Sequence, residues 1–275
     1  MSISLPQLST IAIDFAEGIA EIRLNRAERS NAMNEAMWQE LRSAFNWADA
    51  TPAVRVVILS GAGKNFCAGI DLAMLGGVAE AIAHKDAARS REALRRLILD
   101  LQDCLSTIER CRKPVLAAIH GACIGGAVDL VTCCDMRYAA SDAQFSVREI
   151  DVGMTADVGT LQRLPRLVPD GIVRELAYTG RNVDADEAQR IGLVNRVFDT
   201  PEALAEGVRQ LAQGIAAKSP LAIRGTKEML NYGRDHSVAD GLNYIATWNA
   251  AMLMSADLNE SMSAMREKRL PKFED

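Results

Sequence analysis

Apolar and polar positions along the first half of the chain follow two different periods, which mark out its elements. Two short β-like runs, TIAIDF and IAEIRLN, stand on either side of AEG and predict a hairpin. In NEAMWQELRSAFNWADA the apolar side chains recur at helical spacing, which predicts an amphipathic helix with Asn34 as its N-cap. The runs VRVVILSG and KPVLAAIHG are almost wholly apolar and predict buried strands.

The second half of the chain turns from mixed elements to helices. A charged helical region over about 86–110 precedes KPVLAAIHG, and GGAVDLVTCCD predicts a helix packed behind that strand. MRYAAS, AQFSV and LVNRVF predict short strands, whereas the rest of the sequence from about residue 171 predicts one helix after another. This order predicts an α/β core over residues 1–200 and a C-terminal helical region over residues 201–275, with Pro201 at the boundary.

The composition is that of an ordinary globular protein without a strongly charged partner. Of the 275 residues, 49% are hydrophobic and 24% are charged, and the net charge is −5. An acidic balance does not favour binding to nucleic acid or to an anionic membrane. The basic run RSREALRR predicts a solvated helix face, and no apolar run reaches the length of a membrane span. We therefore expect neither a nucleic-acid partner nor a membrane partner.

The cysteines favour free thiols. The chain has six of them, at positions 67, 104, 111, 123, 133 and 134, with no CxxC spacing and no nearby histidine pairs. This pattern argues against a zinc site and against a disulfide framework. The first residues lack the basic start and apolar core of a signal peptide, and KFED is not an SKL-type peroxisomal address. From these features we expect a cytoplasmic protein without a bound metal.

Two glycine-containing segments follow the predicted buried strands. FCAGID comes shortly after VRVVILSG, and HGACIGGAVDL follows KPVLAAIHG directly. Loops at the carboxyl ends of strands present backbone N–H groups where α/β folds bind ligands, and glycine lets the backbone come close to a ligand. Two such N–H groups aimed at one point would form an oxyanion hole. Each loop taken alone is better explained by tight turns and close packing of helix and strand.

Three carboxylates stand in an apolar setting in VREIDVGMTADVGTLQRLP. They are Glu149, Asp151 and Asp157. Burying a carboxylate is unfavourable unless it is paired or kept protonated, so such residues occur in salt bridges, helix caps and active sites. The residues alone leave these alternatives open.

Five segments together resemble the crotonase, or enoyl-CoA hydratase/isomerase, superfamily over nearly the whole chain. They occur in the usual order and spacing of that family: RLNRAERSNAMN, FCAGIDL, KPVLAAIHGACIGGAVDLVTCCDMRYAASDAQFSV, ADEAQRIGLVNRVF and KSPLAIRGTKEML. The resemblance implies a crotonase-like spiral of ββα units with a C-terminal helical region. It also implies that residues 201–275 mediate assembly into a homotrimer or a hexamer of paired trimers.

The same resemblance assigns the two glycine-containing loops to an acyl-CoA substrate. In the family, two backbone N–H groups hold the thioester oxygen, and the matching groups here are those of Ile70 and Gly126. Many members have three glycines where this chain has Gly-Gly-Ala, but Ala127 leaves the donor in place. The residues expected to contact the substrate are Ala68, Gly69, Ile70, Asp71, Leu72 and Gly126.

The carboxylates resemble those of one branch of the family, the Δ3,5-Δ2,4-dienoyl-CoA isomerases. Hydratases of the family use two carboxylates on water, matched here by Asp129 and Glu149. An acidic residue at Asp157 followed by VGTLQRLP, and an aspartate in CIGGAVDL, are similar to the isomerase branch. The resemblance then gives Asp157 the proton at C2, Glu149 the proton at C6 and Asp129 the control of local protonation. We interpret Asp151 as structural.

The resemblance predicts an enzyme of fatty-acid β-oxidation that needs no metal and no redox cofactor. Coenzyme A enters as part of the substrate, with its adenine and phosphates near RAERSNAM and REKRLPKF. An enoyl-CoA hydratase of the same fold, acting with Asp129 and Glu149, is the alternative. A third hypothesis is a family member that binds CoA or RNA without turnover.

Overall fold

The computed structural model describes residues 3–275, which form nine strands and eleven α-helices within that range. The strands are β1 (Ile11–Ala16), β2 (Ile19–Leu24), β3 (Val56–Gly61), β4 (Val115–Ile119), β5 (Ala122–Ile124), β6 (Met136–Ala140), β7 (Gln144–Ser146), β8 (Val183–Asp184) and β9 (Arg196–Phe198). The helices are α1 (Glu35–Ala50), α2 (Leu72–Ala81), α3 (Ala87–Arg110), α4 (Gly126–Thr132), α5 (Thr160–Arg163), α6 (Asp170–Thr179), α7 (Ala185–Arg190), α8 (Pro201–Ala216), α9 (Pro220–Tyr232), α10 (Val238–Met252) and α11 (Ala256–Glu267).

The strands form two sheets of unequal size. The larger sheet has the order β1-β2-β3-β4-β6-β9, and the smaller one has the order β5-β7-β8. β1 and β2 form the predicted antiparallel hairpin, whose turn places Glu17 and Gly18 at positive φ. The neighbours from β2 to β9 in the larger sheet pair in parallel. Sheets of parallel strands are usually covered on both faces by other elements. This explains why VRVVILSG and KPVLAAIHG are almost wholly apolar.

Each face of the larger sheet contributes to a separate core. In β4 all five residues are buried, and their side chains alternate between the two faces. Leu116 and Ala118 pack in a cluster with α8, whereas Ala117 and Ile119 belong to the larger core that includes α1, α3 and α4. The sequence boundary at residue 200 groups α8 with the C-terminal region, but this helix covers the sheet. The division at residue 200 itself stays a prediction.

The last three helices, α9 to α11, bury little of their surface. No residue of α10 is buried, and α11 buries only Ala264. Large apolar side chains remain exposed here, among them Leu242, Met254 and Met265 at 64%, 85% and 72%. No helix within residues 3–275 is both long and apolar enough to cross a membrane.

Several observed elements have no counterpart in the sequence prediction. α2 was not predicted because LAMLGGVAEA is apolar on most sides and contains two glycines, so it lacks an amphipathic stripe. The strands β5 and β8 have three and two residues, too few for a periodic pattern. The predicted N-cap of α1 is confirmed, since Asn34 accepts the N–H of Met37.

A buried asparagine joins the segment before α1 to the loop after β3. Asn31 has no exposed surface and lies in the left-handed region at φ 54°. Its amide donates to the carbonyl oxygens of Ala62, Asn65 and Phe66 at 2.8, 2.9 and 3.1 Å. Its Oδ1 accepts the N–H of Arg26 at 2.8 Å. This one side chain therefore holds the start of the FCAGID loop in place.

We expect Asn31→Ala to lower the free energy of unfolding by about 3 kcal/mol, because the buried carbonyls lose their donor and alanine disfavours the left-handed region. Urea denaturation measures the change. Asn34→Ala is the matched control, and loss of this helix cap should cost about 1 kcal/mol. Equal losses in the two variants would show that Asn31 has no special role in the fold.

Candidate active site

Backbone pairing brings the two glycine-containing loops together. Cys67 and Cys123 form an isolated parallel bridge in which the N–H of Cys67 donates to Ala122 O at 2.9 Å and the N–H of Ile124 to Cys67 O at 3.1 Å. A second bridge joins Ile70 to Met33 on the other side of the same loop. The FCAGID loop is thus held between β5 and the segment before α1.

The N–H groups of Ile70 and Gly126 lie next to each other between these loops. The amide nitrogen of Ile70 lies 3.6 Å from the point where a Cβ of Gly126 would stand. In the described chain neither N–H donates to a protein acceptor, because the bridge to Met33 uses Gly69 O and the N–H of Asp71. Two adjacent free donors are what an oxyanion hole requires. Their role as oxyanion donors stays a prediction.

Gly69 is required by this close approach. Its φ is +94°, and a Cβ there would lie 2.5 Å from the carbonyl oxygen of Ile124. Any other residue would therefore push the two loops apart and separate the two donors.

Asp129 lies one turn beyond Gly126 on α4 and is fully buried. Its Oδ1 accepts the backbone N–H of Thr160 at 2.5 Å, whereas its Oδ2 has no hydrogen-bond partner in the described chain. Burial raises the pKa of this carboxyl to about 7, and the charge of Glu149 adds to the rise. A carboxyl of this kind can be either protonated or ionised near neutral pH.

Glu149 and Asp157 complete a group of three carboxylates. Glu149 opens a short 3₁₀-helix over Glu149–Val152, and its Oε1 lies 3.2 Å from the position of a Cβ on Gly125. Burial raises the pKa of Glu149, and the charge of Asp157 raises it further. Burial also raises the pKa of Asp157. The mutual influence of the three groups places them in one electrostatic site beside the two free donors.

The other residues predicted to contact substrate differ in their surroundings. Ala68 and Leu72 are exposed and can contact a ligand. The carboxylate of Asp71 already accepts the N–H of Ala73, which caps α2, and the guanidinium of Arg26 at 3.1 Å. These two donors, in that order, lower the pKa of Asp71. Asp71 therefore fixes the end of the loop, and its side chain is not free for chemistry.

Asp151 lies apart from the three carboxylates, at the surface. It forms an ion pair with Arg148 at 3.3 Å and is 47% exposed. Arg148 also donates to Ser146 Oγ and Asn182 Oδ1, and so fastens the segment that carries Glu149. This geometry agrees with a structural role for Asp151.

Sequence reasoning missed two residues that hold the carboxylates in place. The backbone N–H of Thr160 contacts Asp129, and the side-chain amide of Gln102 on α3 donates to Asp157 O at 2.6 Å. Thr160 stands inside VGTLQRLP, which was used only as a family signature. Gln102 lies on a charged helix far from any motif, so no sequence signal identified it.

A cavity of about 840 Å³ lies behind the turn that follows Asp157. Half of the residues that line it are charged, and none of Asp129, Glu149 and Asp157 borders it. Arg163, which forms part of its wall, is already paired with Glu109 at 3.0 Å. We therefore place the chemistry at the three carboxylates and not in this cavity. In the part of the chain that is described, no cluster of His, Cys, Asp or Glu side chains has the arrangement of a metal site.

This fold and site define an enoyl-CoA hydratase/isomerase, and the chain belongs to that family, which it matches over residues 14–275. A crystal structure of enoyl-CoA hydratase from Bacillus anthracis superposes with a TM-score of 0.88 at 32% identity, covering 97% of this chain and 99% of that one. The expected crotonase-like α/β fold with a C-terminal helical region is thereby confirmed.

More similar in sequence are two dienoyl-CoA isomerases. The Arabidopsis thaliana protein named peroxisomal Δ3,5-Δ2,4-dienoyl-CoA isomerase is 47% identical over 271 residues, 98% of each chain. The Homo sapiens protein of that name, mitochondrial, is 48% identical over 252 residues, 91% of this chain and 77% of the relative. The prediction of a cytoplasmic location is contradicted by these names. It rested on free cysteines and on missing address signals, and reduced thiols do not distinguish one compartment from another.

Asp129 should make folding stability depend on pH, and Asp129→Asn should remove that dependence. Its folded-state pKa of about 7 exceeds the ordinary value of 3.8, so the folded state binds the proton more tightly than the unfolded state. Stability from this group is complete below about pH 4 and declines as the pH rises to about 7. The variant should therefore gain stability over the wild type across this window, by up to about 4 kcal/mol at pH 7.5. Urea unfolding at several pH values checks this, and a difference that does not change with pH would contradict it.

Proposed function

We propose that this protein is a Δ3,5-Δ2,4-dienoyl-CoA isomerase that acts in fatty-acid β-oxidation. The observation that carries the proposal is the third carboxylate, because Asp157 joins Asp129 and Glu149 in one site beside two free N–H donors. The two relatives at 47% and 48% identity, both named as this isomerase, support the same reaction.

The chemistry explains why three carboxylates are needed. Conversion of a 3,5-dienoyl thioester to its 2,4 isomer removes a proton at C2 and delivers one at C6, two carbons that one short side chain cannot reach. Asp157 takes the C2 proton, and Glu149 supplies the C6 proton to the extended dienolate. The N–H groups of Ile70 and Gly126 stabilise the charge that develops on the thioester oxygen.

Asp129 controls protonation in this scheme. It touches neither carbon, but the charge of Glu149 raises the pKa of Asp129, so the two carboxyls interact. Repulsion between the two carboxylates keeps one proton on the pair near neutral pH. Two interacting carboxyls that share one proton can therefore act as a general acid near neutral pH.

An enoyl-CoA hydratase is the second candidate function. Asp129 and Glu149 would then hold and activate water, and the hydratase structure from Bacillus anthracis supports this reading through its shared fold. The sequence identity between that hydratase and this chain is 32%, well below the 47% of the Arabidopsis thaliana isomerase. In a hydratase mechanism Asp157 would also have no catalytic role. A member that binds without turnover would carry three poorly paired carboxylates at a cost in stability and without a benefit.

The proposal includes an acyl-CoA substrate and no further cofactor. The nucleotide end of coenzyme A would lie near residues 26–33 and 266–273, where Arg26, Arg29 and Arg266 supply positive charge. The assembly would be a homotrimer or hexamer built through the exposed apolar surface of α9 to α11.

We expect purified protein to convert a 3,5-dienoyl-CoA to the conjugated 2,4 isomer, seen as new ultraviolet absorbance, and Asp157→Asn to slow this reaction by about 10²–10⁴-fold. Asparagine preserves the shape of the side chain but cannot accept the C2 proton. Hydration of crotonyl-CoA, which depends on Asp129 and Glu149, should survive the substitution far better.

Asp151→Asn is the matched control, because it removes a neighbouring carboxylate that is exposed and paired with Arg148. It should leave isomerisation within about threefold of the wild type. If the wild type only hydrates crotonyl-CoA, the hydratase reading holds. If Asp157→Asn lowers both activities equally together with the melting temperature, Asp157 is a structural residue.

We expect light scattering at micromolar concentration to give a mass of about three or six times the 29.8 kDa protomer. The physical reason is that large apolar side chains on α9 to α11 and in the turn between α10 and α11 expose 64–85% of their surface, namely Leu230, Leu242, Met254 and Met265. A monomer at this concentration would contradict the assembly. Replacement of Met254 and Met265 by glutamate should weaken it, whereas glutamate at the isolated exposed residue Tyr178 should not.

A further inference from the structure

We propose that Gln102 is a positioning residue that fixes the place of Asp157, so that isomerisation depends on it more than hydration does. This inference rests on the proposed isomerase function, in which Asp157 takes the C2 proton. Gln102 stands on α3, 55 residues away along the chain, and its side-chain amide donates to Asp157 O at 2.6 Å. It contacts no reacting atom and acts only through the main chain of Asp157.

The main chain on either side of Asp157 has few hydrogen bonds of its own. Residues 155–158 form no backbone–backbone hydrogen bond with the rest of the described chain, and they belong to neither a strand nor a helix. The backbone bond that precedes them joins the N–H of Met154 to Glu149 O at 3.0 Å. Within residues 3–275, the amide of Gln102 is the one side-chain group that forms a hydrogen bond to this stretch.

Packing alone does not orient the peptide that carries the base. Ala156 and Val158, on either side of Asp157, are buried at 6% and 7% exposure and hold the chain against the core. The hydrophobic effect has no preferred direction, whereas a hydrogen bond favours a narrow range of angles. The contact with Gln102 is therefore the directional restraint on the Asp157 carbonyl.

Helix α3 gives Gln102 a rigid support. The turn that follows Gln102 is buried in the larger core. One and two turns further on, Ser106 Oγ and Glu109 Oε2 accept the guanidinium of Arg163 at 3.2 and 3.0 Å. The same face of α3 thus holds the segment 157–163 at both of its ends.

The other two carboxylates have supports that do not involve Gln102. Asp129 stands on α4, in which every residue is buried. Glu149 follows Arg148, whose guanidinium donates to two neighbouring side chains. In the part of the chain that is described, neither carboxyl forms a hydrogen bond with α3. Loss of the Gln102 amide should therefore displace Asp157 and leave the pair that hydration would use.

The surroundings of Gln102 allow its side chain to be changed. It borders the cavity of about 840 Å³ together with Val158 and Gly159. A side chain of similar length can use this space, so a substitution there does not overpack the core.

The test is steady-state kinetics of Gln102→Met, which keeps the length of the side chain and removes the amide donor. A displaced base costs rate rather than binding, so kcat for isomerisation should fall by about tenfold or more with KM unchanged. Hydration of crotonyl-CoA should change by less than about twofold, since its carboxylates lie elsewhere. Gln102→Glu, which turns an acceptor toward the carbonyl, must lower kcat at least as much.

A double variant separates positioning from a general loss of stability. Gln102→Met added to Asp157→Asn should not lower the residual isomerisation further, because the base that Gln102 positions is already absent. Gln39→Met is the matched control, since it removes a glutamine amide that donates to Asp100 on α3 at 2.9 Å. It should leave both reactions unchanged.

An infrared titration of the free protein follows Asp157 without any substrate, with the carboxyl band assigned by Asp157→Asn. Burial raises the pKa of Asp157, so a carboxyl that moves toward water should titrate at lower pH in Gln102→Met than in the wild type. An unchanged titration in both Gln102 variants, an additive loss in the double variant, or equal loss of the two activities with a lower melting temperature would overturn the proposal. A wild type that does not isomerise a dienoyl-CoA refutes the proposed function instead, and the infrared result alone then decides whether Gln102 places Asp157.

Discussion

The burial of Asp129 is the constraint on which the site depends. A carboxyl without exposed surface must be stabilised locally, and within residues 3–275 a single backbone N–H, that of Thr160, donates a hydrogen bond to its oxygens. Gly159 makes that contact feasible, because its φ of +137° turns the chain into α5 and allows Arg163 to fold over it. The carboxyl is thus held firmly but left half unsatisfied. That state is unfavourable for stability and useful for proton transfer.

One short helix links the proposed acid–base groups to the proposed oxyanion donors. Gly126 and Asp129 stand one turn apart on α4, in which every residue is buried. Their separation is therefore set by helix geometry and cannot drift with the loops. The second donor, Ile70, is fixed from the other side by the bridge to Met33 and by the hydrogen bonds of Asn31 to residues 62–66. Preorganised donors of this kind stabilise charge without rearranging during the reaction.

Sequence reasoning recovered what periodicity and family motifs encode. The hairpin, the buried strands β3 and β4, the cap at Asn34 and both glycine-containing loops follow from local patterns. The resemblance added Asp129 and the roles predicted for the loops and the three carboxylates. Sequence reasoning did not find α2, whose apolar residues are not confined to one face of the helix. It also did not find β5, whose three residues form a strand only because β7 lies beside them. Thr160, Gln102 and Asn31 were also missed as supports. Their importance depends on which carbonyl or carboxyl they meet in space, and a single sequence does not specify those partners.

The fold does not distinguish an isomerase from a hydratase, because a hydratase structure superposes on this chain with a TM-score of 0.88. Under the proposed function the distinction is local and lies in the segment that carries Asp157. That segment belongs to no strand or helix of the core, and its carbonyl is tied to α3 by Gln102. In the proposed reaction a base at this point acts on C2, while Glu149 acts on C6, further along the acyl chain. Water addition does not need two such separated groups. The two proposed N–H donors would serve either reaction, since both reactions develop charge on the thioester oxygen. Under the proposed function, the position of one half-buried carboxylate, whose backbone carbonyl is held by one glutamine, therefore carries the chemical distinction between the two reactions.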